Sequence, residues 1–247
     1  DMYGAILTPP VTPDADYGVL FMHNEGYSTM CGHGIIALTT VLIETGQFPA
    51  TGERTTIGFD SPAGFIRAVA TVRDGRVVEA TFENVPSFVY ADAVEVTTNR
   101  GTFTTPVVFG GAFYALVDAE AAGLRIDPND IRELIDFGMA IKHAIEARMD
   151  VVHPLEPELR DIYGTIITGP PSAGADGRNV TIFADGEVDR SPCGTGTAAR
   201  LAWLAVSPGA RSGGVGGSLL QEAVARWSSR GHVVAEIEFP DSTSAHP

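Results

Sequence analysis

Cysteine occurs twice in this chain, both times in one setting: "MCGHGIIALTT" begins at Met30 and "SPCGTGTAARLA" at Ser191. Each places Cys-Gly-X-Gly ahead of a run that reads as a buried helix, and each follows strand-like sequence. Two copies of strand, cysteine, glycine and helix, about 160 residues apart, predict two similar lobes that each present one thiol.

The chemistry of such a pair follows from the helix entrance. The first N–H groups of a helix have no partner within it and its dipole is positive there, so an anion at that position is favoured. Glycine lets backbone come close. Cys31 and Cys193 are therefore expected to ionise below the usual thiol value of about 8.5 and to serve as bases near neutral pH. Two thiols on opposed entrances suit a two-base exchange at one carbon, one thiolate taking a proton while the other thiol delivers one to the opposite face. A substrate carboxylate would lie across both helix N-termini, where N–H groups stabilise charge developing at an α carbon. Asp189, four residues before Cys193, is placed to face an amine.

Along the chain, "YGAILT" and "GVLFMH" read as strands, and "GIIALTTVLIETG" as a helix closed by Gly46. Ile35, Ile36, Leu38, Val41, Leu42 and Ile43 cover more than one of its faces, as in a buried helix. Short strands run from Thr55 to about Thr105 between turn signals such as Asp74-Gly75. "VVFGGAFYALVD" reads as one strand interrupted at Gly110-Gly111. Asp127-Pro128 caps an amphipathic helix, "NDIRELIDFGMAIKHAIEARM". "YGTIITG" and "NVTIFAD" are strands before the second cysteine. Beyond Ser207, "PGARSGGVGGS" reads as a flexible linker, "LLQEAVARW" as a short helix and "HVVAEIEF" as a strand. This divides the chain into a first lobe at 1–105, a second at 106–206, and a linker with an atypical tail at 207–247.

Composition excludes several partners. Sixteen Lys+Arg against 31 Asp+Glu give a formal charge of −15, which repels phosphate backbones and anionic bilayers. No apolar run approaches the ~18 residues needed to span a membrane and no signal peptide opens the chain, so the expected location is cytoplasmic. Neither cysteine lies in a CxxC pair, which leaves no redox motif or structural zinc site, and no metal is expected.

Rival chemistries fit less well. "GTGTAA" from Gly194 matches a dinucleotide fingerprint but follows polar "VDRSP" instead of an apolar strand. Pyridoxal phosphate needs a lysine, and the only one, Lys142, falls on the solvated face of an amphipathic helix. A cysteine hydrolase using Cys31 and His33 leaves the second thiol unexplained. A non-catalytic amino-acid-binding fragment remains as an alternative. His23, His143, His153, His232 and His246 have no setting comparable to that of His33.

"HNEGYSTMCGHGIIAL" and "VDRSPCGTGTAARLA" closely resemble the two signature segments of the proline racemase family, with "DMYGA", "GGAFYA" and "DIYGTIIT" as lesser landmarks. The resemblance covers roughly Asp1 to Leu204. It implies an α+β fold similar to diaminopimelate epimerase, with two pseudosymmetric lobes, each a sheet or barrel wrapped round a central helix. It also implies that both lobes extend beyond this chain's N- and C-terminal parts, and that the sequence after Trp203 departs from the family. No cofactor is implied, the substrate is a small molecule, proline or hydroxyproline, and a homodimer is expected. By motif position, Cys31 and Cys193 resemble the paired acid/base thiols and His33 and Asp189 the groups around the substrate nitrogen. Gly32, Gly34, Gly194 and Thr195 resemble the carboxylate cradle, and Phe183 a wall of the ring pocket. The family includes racemases, hydroxyproline epimerases and trans-3-hydroxy-L-proline dehydratases. Cysteine at position 193 points to racemisation or epimerisation, since the dehydratases usually carry threonine there; the wider first motif looks more like the dehydratases.

Overall fold

The computed structural model describes residues 3–173, 175, 177–189 and 193–206, and the backbone of two strands at 223–228 and 233–237. Two sheets share the strands. The first is built from β1 (Tyr3–Thr8), β2 (Tyr17–His23), β3 (Gly26–Ser28), β4 (Arg54–Ser61), β5 (Gly64–Arg73) and β6 (Arg76–Glu83), with β13 (Ala223–Ser228) and β14 (Val233–Ile237) beyond β6. The second runs β12-β11-β10-β9-β8-β7, from β12 (Glu187–Val188), β11 (Arg178–Phe183), β10 (Ile162–Gly169), β9 (Phe113–Asp118), β8 (Gly101–Phe109) and β7 (Phe88–Thr98).

The change of sheet falls at Asn84–Ser87, between β6 and β7. β7 and β8 form a hairpin whose register pairs Phe88 with Phe109, and β8 continues onto β9, so hydrogen bonding assigns both to the second lobe. Asn84 fastens this junction by donating from Nδ2 to the Gly110 carbonyl at 2.9 Å. "VVFGGAFYALVD" is likewise two strands, because Gly111 at φ +109 turns the chain back on itself, a conformation that a side chain would strain.

Helix α1 (Gly32–Glu44) crosses between the parallel strands β2 and β4, and α2 (Ile131–Glu146) between the parallel strands β9 and β10, as parallel pairing requires. Within α1, Thr39 and Thr40 turn their hydroxyls onto the Ile35 and Ile36 carbonyls at 2.7 and 2.9 Å, which satisfies polar groups inside a mostly apolar helix. Gly46, at φ +70, ends it. Helix α3 (Gly194–Val206) packs on β7, β8 and β9. Strand β9 is buried on both sides, so its alternation is between two cores: Phe113, Ala115 and Val117 join the larger cluster, while Tyr114 and Leu116 join a smaller one with Cys193, Ala199 and Ala202 of the α3 segment.

At the C-terminal end, the expected helix in "LLQEAVARW" is corrected in its second half. Residues 223–228 form β13, antiparallel to β6 with Val224 opposite Glu83; the open edge of β6 supplies backbone partners that a helix would leave unused. The tail from 207 is therefore in part a component of the first sheet. The expected Gly-rich linker lies outside the described residues. Among the described residues, no helix is long and apolar enough to cross a membrane.

Candidate active site

Cys31 is the N-cap of α1. Its backbone is extended (φ −144, ψ 109), its sulfur accepts from Gly34 N–H at 3.3 Å, and its carbonyl accepts from Ile35 N–H at 3.0 Å. Cys193 repeats this at α3, with Sγ accepting from Gly196 N–H at 3.4 Å and the carbonyl from Thr197 N–H at 2.7 Å. Cysteine here does what serine or aspartate does at an ordinary cap. The two entrances abut: a Cβ placed on Gly194 would lie 3.3 Å from the Gly32 Cα. Only residues without side chains allow two helix ends to meet so closely.

One cavity of about 890 Å³ opens between them. It is lined by both cysteines and by Gly32, His33, Gly34, Phe183, Asp189, Gly194 and Thr195, so the fold collects all nine residues singled out in the sequence. Both thiols are free. Phe183 stacks on Tyr163, with ring centroids 5.6 Å apart, which makes an apolar wall.

The cavity also holds residues that the sequence reading passed over. Tyr3, Tyr114 and Tyr163 line it, one from each of the segments "DMYGA", "GGAFYA" and "DIYGTIIT", a signal present but unread. Tyr114 is fully buried; its hydroxyl lies 2.7 Å from Thr195 Oγ1 and 3.5 Å from Cys193 Sγ. His23 lines the cavity as well, with its ring 6.1 Å from that of Tyr3 and 6.3 Å from that of Phe183, which corrects the expectation that it has no special setting. Lys142 is also corrected: its side chain is 12% exposed and donates to the Ala184 carbonyl at 2.7 Å, bracing the turn after β11.

The expected low thiol pKa is not found: both thiols are raised. Burial pushes Cys193 up to about 12, with the Asp189 carboxylate adding to the rise and hydrogen bonds from Tyr114, Thr195 and Gly196 opposing it. Cys31 is raised by burial too, against hydrogen bonds from Tyr3 and Gly34, with Asp189 again pushing upward. Desolvation of a charged sulfur outweighs what a few N–H and O–H donors return. Burial raises all three tyrosine hydroxyls, so they stay protonated and act as donors. Among the described residues, no group of three or more His, Cys, Asp or Glu is placed to hold a metal ion.

The fold is thus a two-sheet α+β architecture with a capping thiol at each of two helix entrances that meet at one cavity. The chain belongs to the proline racemase family, whose sequence pattern it matches over residues 1–243. That match extends past Leu204, where the resemblance carried by the motifs ends. A trans-3-hydroxy-L-proline dehydratase of Bacillus cereus is 55% identical over 204 residues, covering 82% of this chain and 61% of the relative. The chain thus spans about three-fifths of that relative's length. The proline racemase of Clostridioides difficile is 38% identical over 249 residues, covering 100% of this chain and 73% of the relative. Among solved structures, a hydroxyproline epimerase from Agrobacterium vitis with bound trans-4-hydroxy-L-proline superposes with a TM-score of 0.78 at 29% identity, covering 94% of this chain and 70% of that one.

Proposed function

We propose that this chain exchanges the α-carbon proton of proline or a hydroxyproline between Cys31 and Cys193, racemising or epimerising the amino acid. The observation that carries the reading is the placement of both thiols on one cavity, each capping a helix whose entrance abuts the other. One thiolate takes the α proton: the C–H bond breaks, an S–H bond forms, and the electron pair stays on the α carbon and its carboxylate. The other thiol gives its proton to the opposite face. The N-terminal N–H groups of α1 and α3 are the natural cradle for the carboxylate, and Phe183 with Tyr163 bounds the ring.

Asp189 and His33 flank the substrate nitrogen in this reading. A cationic amine beside Asp189 neutralises the carboxylate that raises both thiols, so the substrate itself brings them toward a usable range. The same reading makes the binding partner a small zwitterion, and the homodimer that the resemblance implies is checked by sedimentation of the chain.

The test is solvent-deuterium incorporation at the α carbon of L- and D-proline and of trans-4- and trans-3-hydroxyproline. Incorporation is expected with at least one substrate, and Cys31→Ser or Cys193→Ser should reduce it more than a thousandfold. Exchange that survives both substitutions overturns the mechanism.

A second reading, dehydration of trans-3-hydroxy-L-proline, is favoured by the names of similar proteins, including one 55% identical from Bacillus cereus and one 43% identical from Burkholderia cenocepacia. The first step is the same. The electron pair on the α carbon then expels the neighbouring hydroxyl, which leaves as water with a proton from a thiol as the carbon–carbon double bond forms. Unsubstituted proline has no such group and can only be reprotonated. A pyrroline-forming assay run beside the chirality assay separates the two outcomes.

A further inference from the structure

We propose that Tyr114 and Tyr3 are the positioning residues of the two thiols, one for each, so that every lobe delivers a thiol, a backbone N–H three residues on and a phenol as one set. This rests on the two-thiol reading given above. It extends it to residues that need not touch the substrate.

The geometry is clearest at Cys193. Tyr114 has one hydroxyl hydrogen and two neighbours able to accept it, Thr195 Oγ1 at 2.7 Å and Cys193 Sγ at 3.5 Å. Thr195 Oγ1 is itself 3.6 Å from the sulfur. When Cys193 carries its proton, the phenol hydrogen is best placed on Thr195; when the sulfur is a thiolate, rotation about the C–O bond places it on the charge. Hydrogen bonds to ionised acceptors are the stronger ones, so the turn favours the thiolate without any proton leaving the phenol. A tyrosine that served packing alone would need only Thr195 for its buried hydroxyl.

The first lobe repeats the set with different sequence. Tyr3, on the edge strand β1, lines the same cavity as Cys31, whose sulfur accepts from Gly34 N–H at 3.3 Å, and its phenol favours the Cys31 thiolate. Tyr3 lies on β1 and Tyr114 on β9, and no spacing in the sequence links either to its cysteine. The recurrence is one of space. Other ionisable groups face both sulfurs: Asp189 raises each, Tyr163 from β10 senses the charge of each, and His33 N–H supports Cys31. Each thiol has its own phenol, as it has its own N–H three residues on.

The experiment measures iodoacetamide alkylation of the 247-residue chain against pH, each cysteine peptide being quantified separately by mass spectrometry. Tyr114→Phe should slow Cys193 alkylation about tenfold at a fixed pH near 9, as a one-unit rise in the thiol's pKa does, and leave Cys31 unchanged. Tyr3→Phe should do the reverse. Because Tyr3 is half-exposed at a sheet edge, its variant tests the pairing even where loss of the Tyr114 hydroxyl unseats β9. In turnover, the rising limb of kcat/KM should move to higher pH in both variants. For proline the loss must be equal from either enantiomer, since the two are equal in energy. An alkylation rate that does not change, or both variants slowing the same cysteine, overturns the proposal. If the rates separate as stated while wild type exchanges no α proton of any proline, the pairing stands and the two-thiol reaction fails.

Discussion

Cys193 lies where two effects of opposite sign meet. Its position at the entrance of α3 lowers the cost of a negative sulfur, through Gly196 N–H, Thr195 and Tyr114, while burial and Asp189 raise it, and the second pair wins. The sign gives a direct expectation. Since burial favours the neutral thiol, alkylation of Cys193 without substrate should still be climbing above pH 9, toward about 12, where a free cysteine has levelled off. A saturating amino-acid zwitterion neutralises Asp189 and should shift whatever alkylation remains to lower pH; a shift upward would count against Asp189 facing the amine. Both cysteines were legible in the sequence because each stands in a local motif, and Asp189 because it stands four residues from one. The tyrosines were not, for a physical reason: a tyrosine in a strand reads as a packing residue, and Tyr114 is 79 positions from the sulfur it serves.

Helix α2 shows how an element outside the cavity shapes it. Lys142 reaches from α2 to the carbonyl of Ala184, which sits at φ +49 in the turn between Phe183 and β12. That turn leads from the cavity's apolar wall to Asp189. Lys142→Met keeps the aliphatic stem and removes the donor, so it should destabilise the chain by about 1–3 kcal/mol, the worth of a charged hydrogen bond, read as a lower melting temperature. The same loosening should raise KM for the amino acid more than it lowers kcat. The helical period of α2 was plain in the sequence, yet Lys142 was assigned to solvent, because periodicity gives the face of a helix and not the length of side chain that returns from it. The hairpin of β8 and β9 was missed for a related reason. Gly110-Gly111 marks a break in a strand, but whether the chain bends or reverses there depends on α3, whose Thr195 carbonyl a Cβ on Gly110 would strike. In the tail, the apolar spacing read as helix was overridden at 223–228 by the unpaired edge of β6.

The two lobes were predictable from the repeated motif, while strand pairing and not sequence composition decides which sheet owns β7 and β8. One apolar cluster runs through both lobes, joining Phe21 and Phe59 of the first to Phe113 and Ile182 of the second. The joint nearest the chemistry is Gly32 against Gly194. Gly194→Ala would set a methyl 3.3 Å from Gly32 Cα, a conflict that a shift of a few tenths of an ångström relieves. The melting temperature should therefore fall by only a few degrees. Proton exchange should fall tenfold or more, because small misplacements of reacting groups are costly. An equal, small effect on both would mean that the spacing of the entrances is not critical. Bare backbone resting on bare backbone leaves no side chain to cushion or adjust the gap between the sulfurs. In the reaction proposed above, the aperture that admits a ring and the stroke of the proton are thus one mechanical coordinate: tilting the sheets apart to let a molecule in would also pull the acid away from the base.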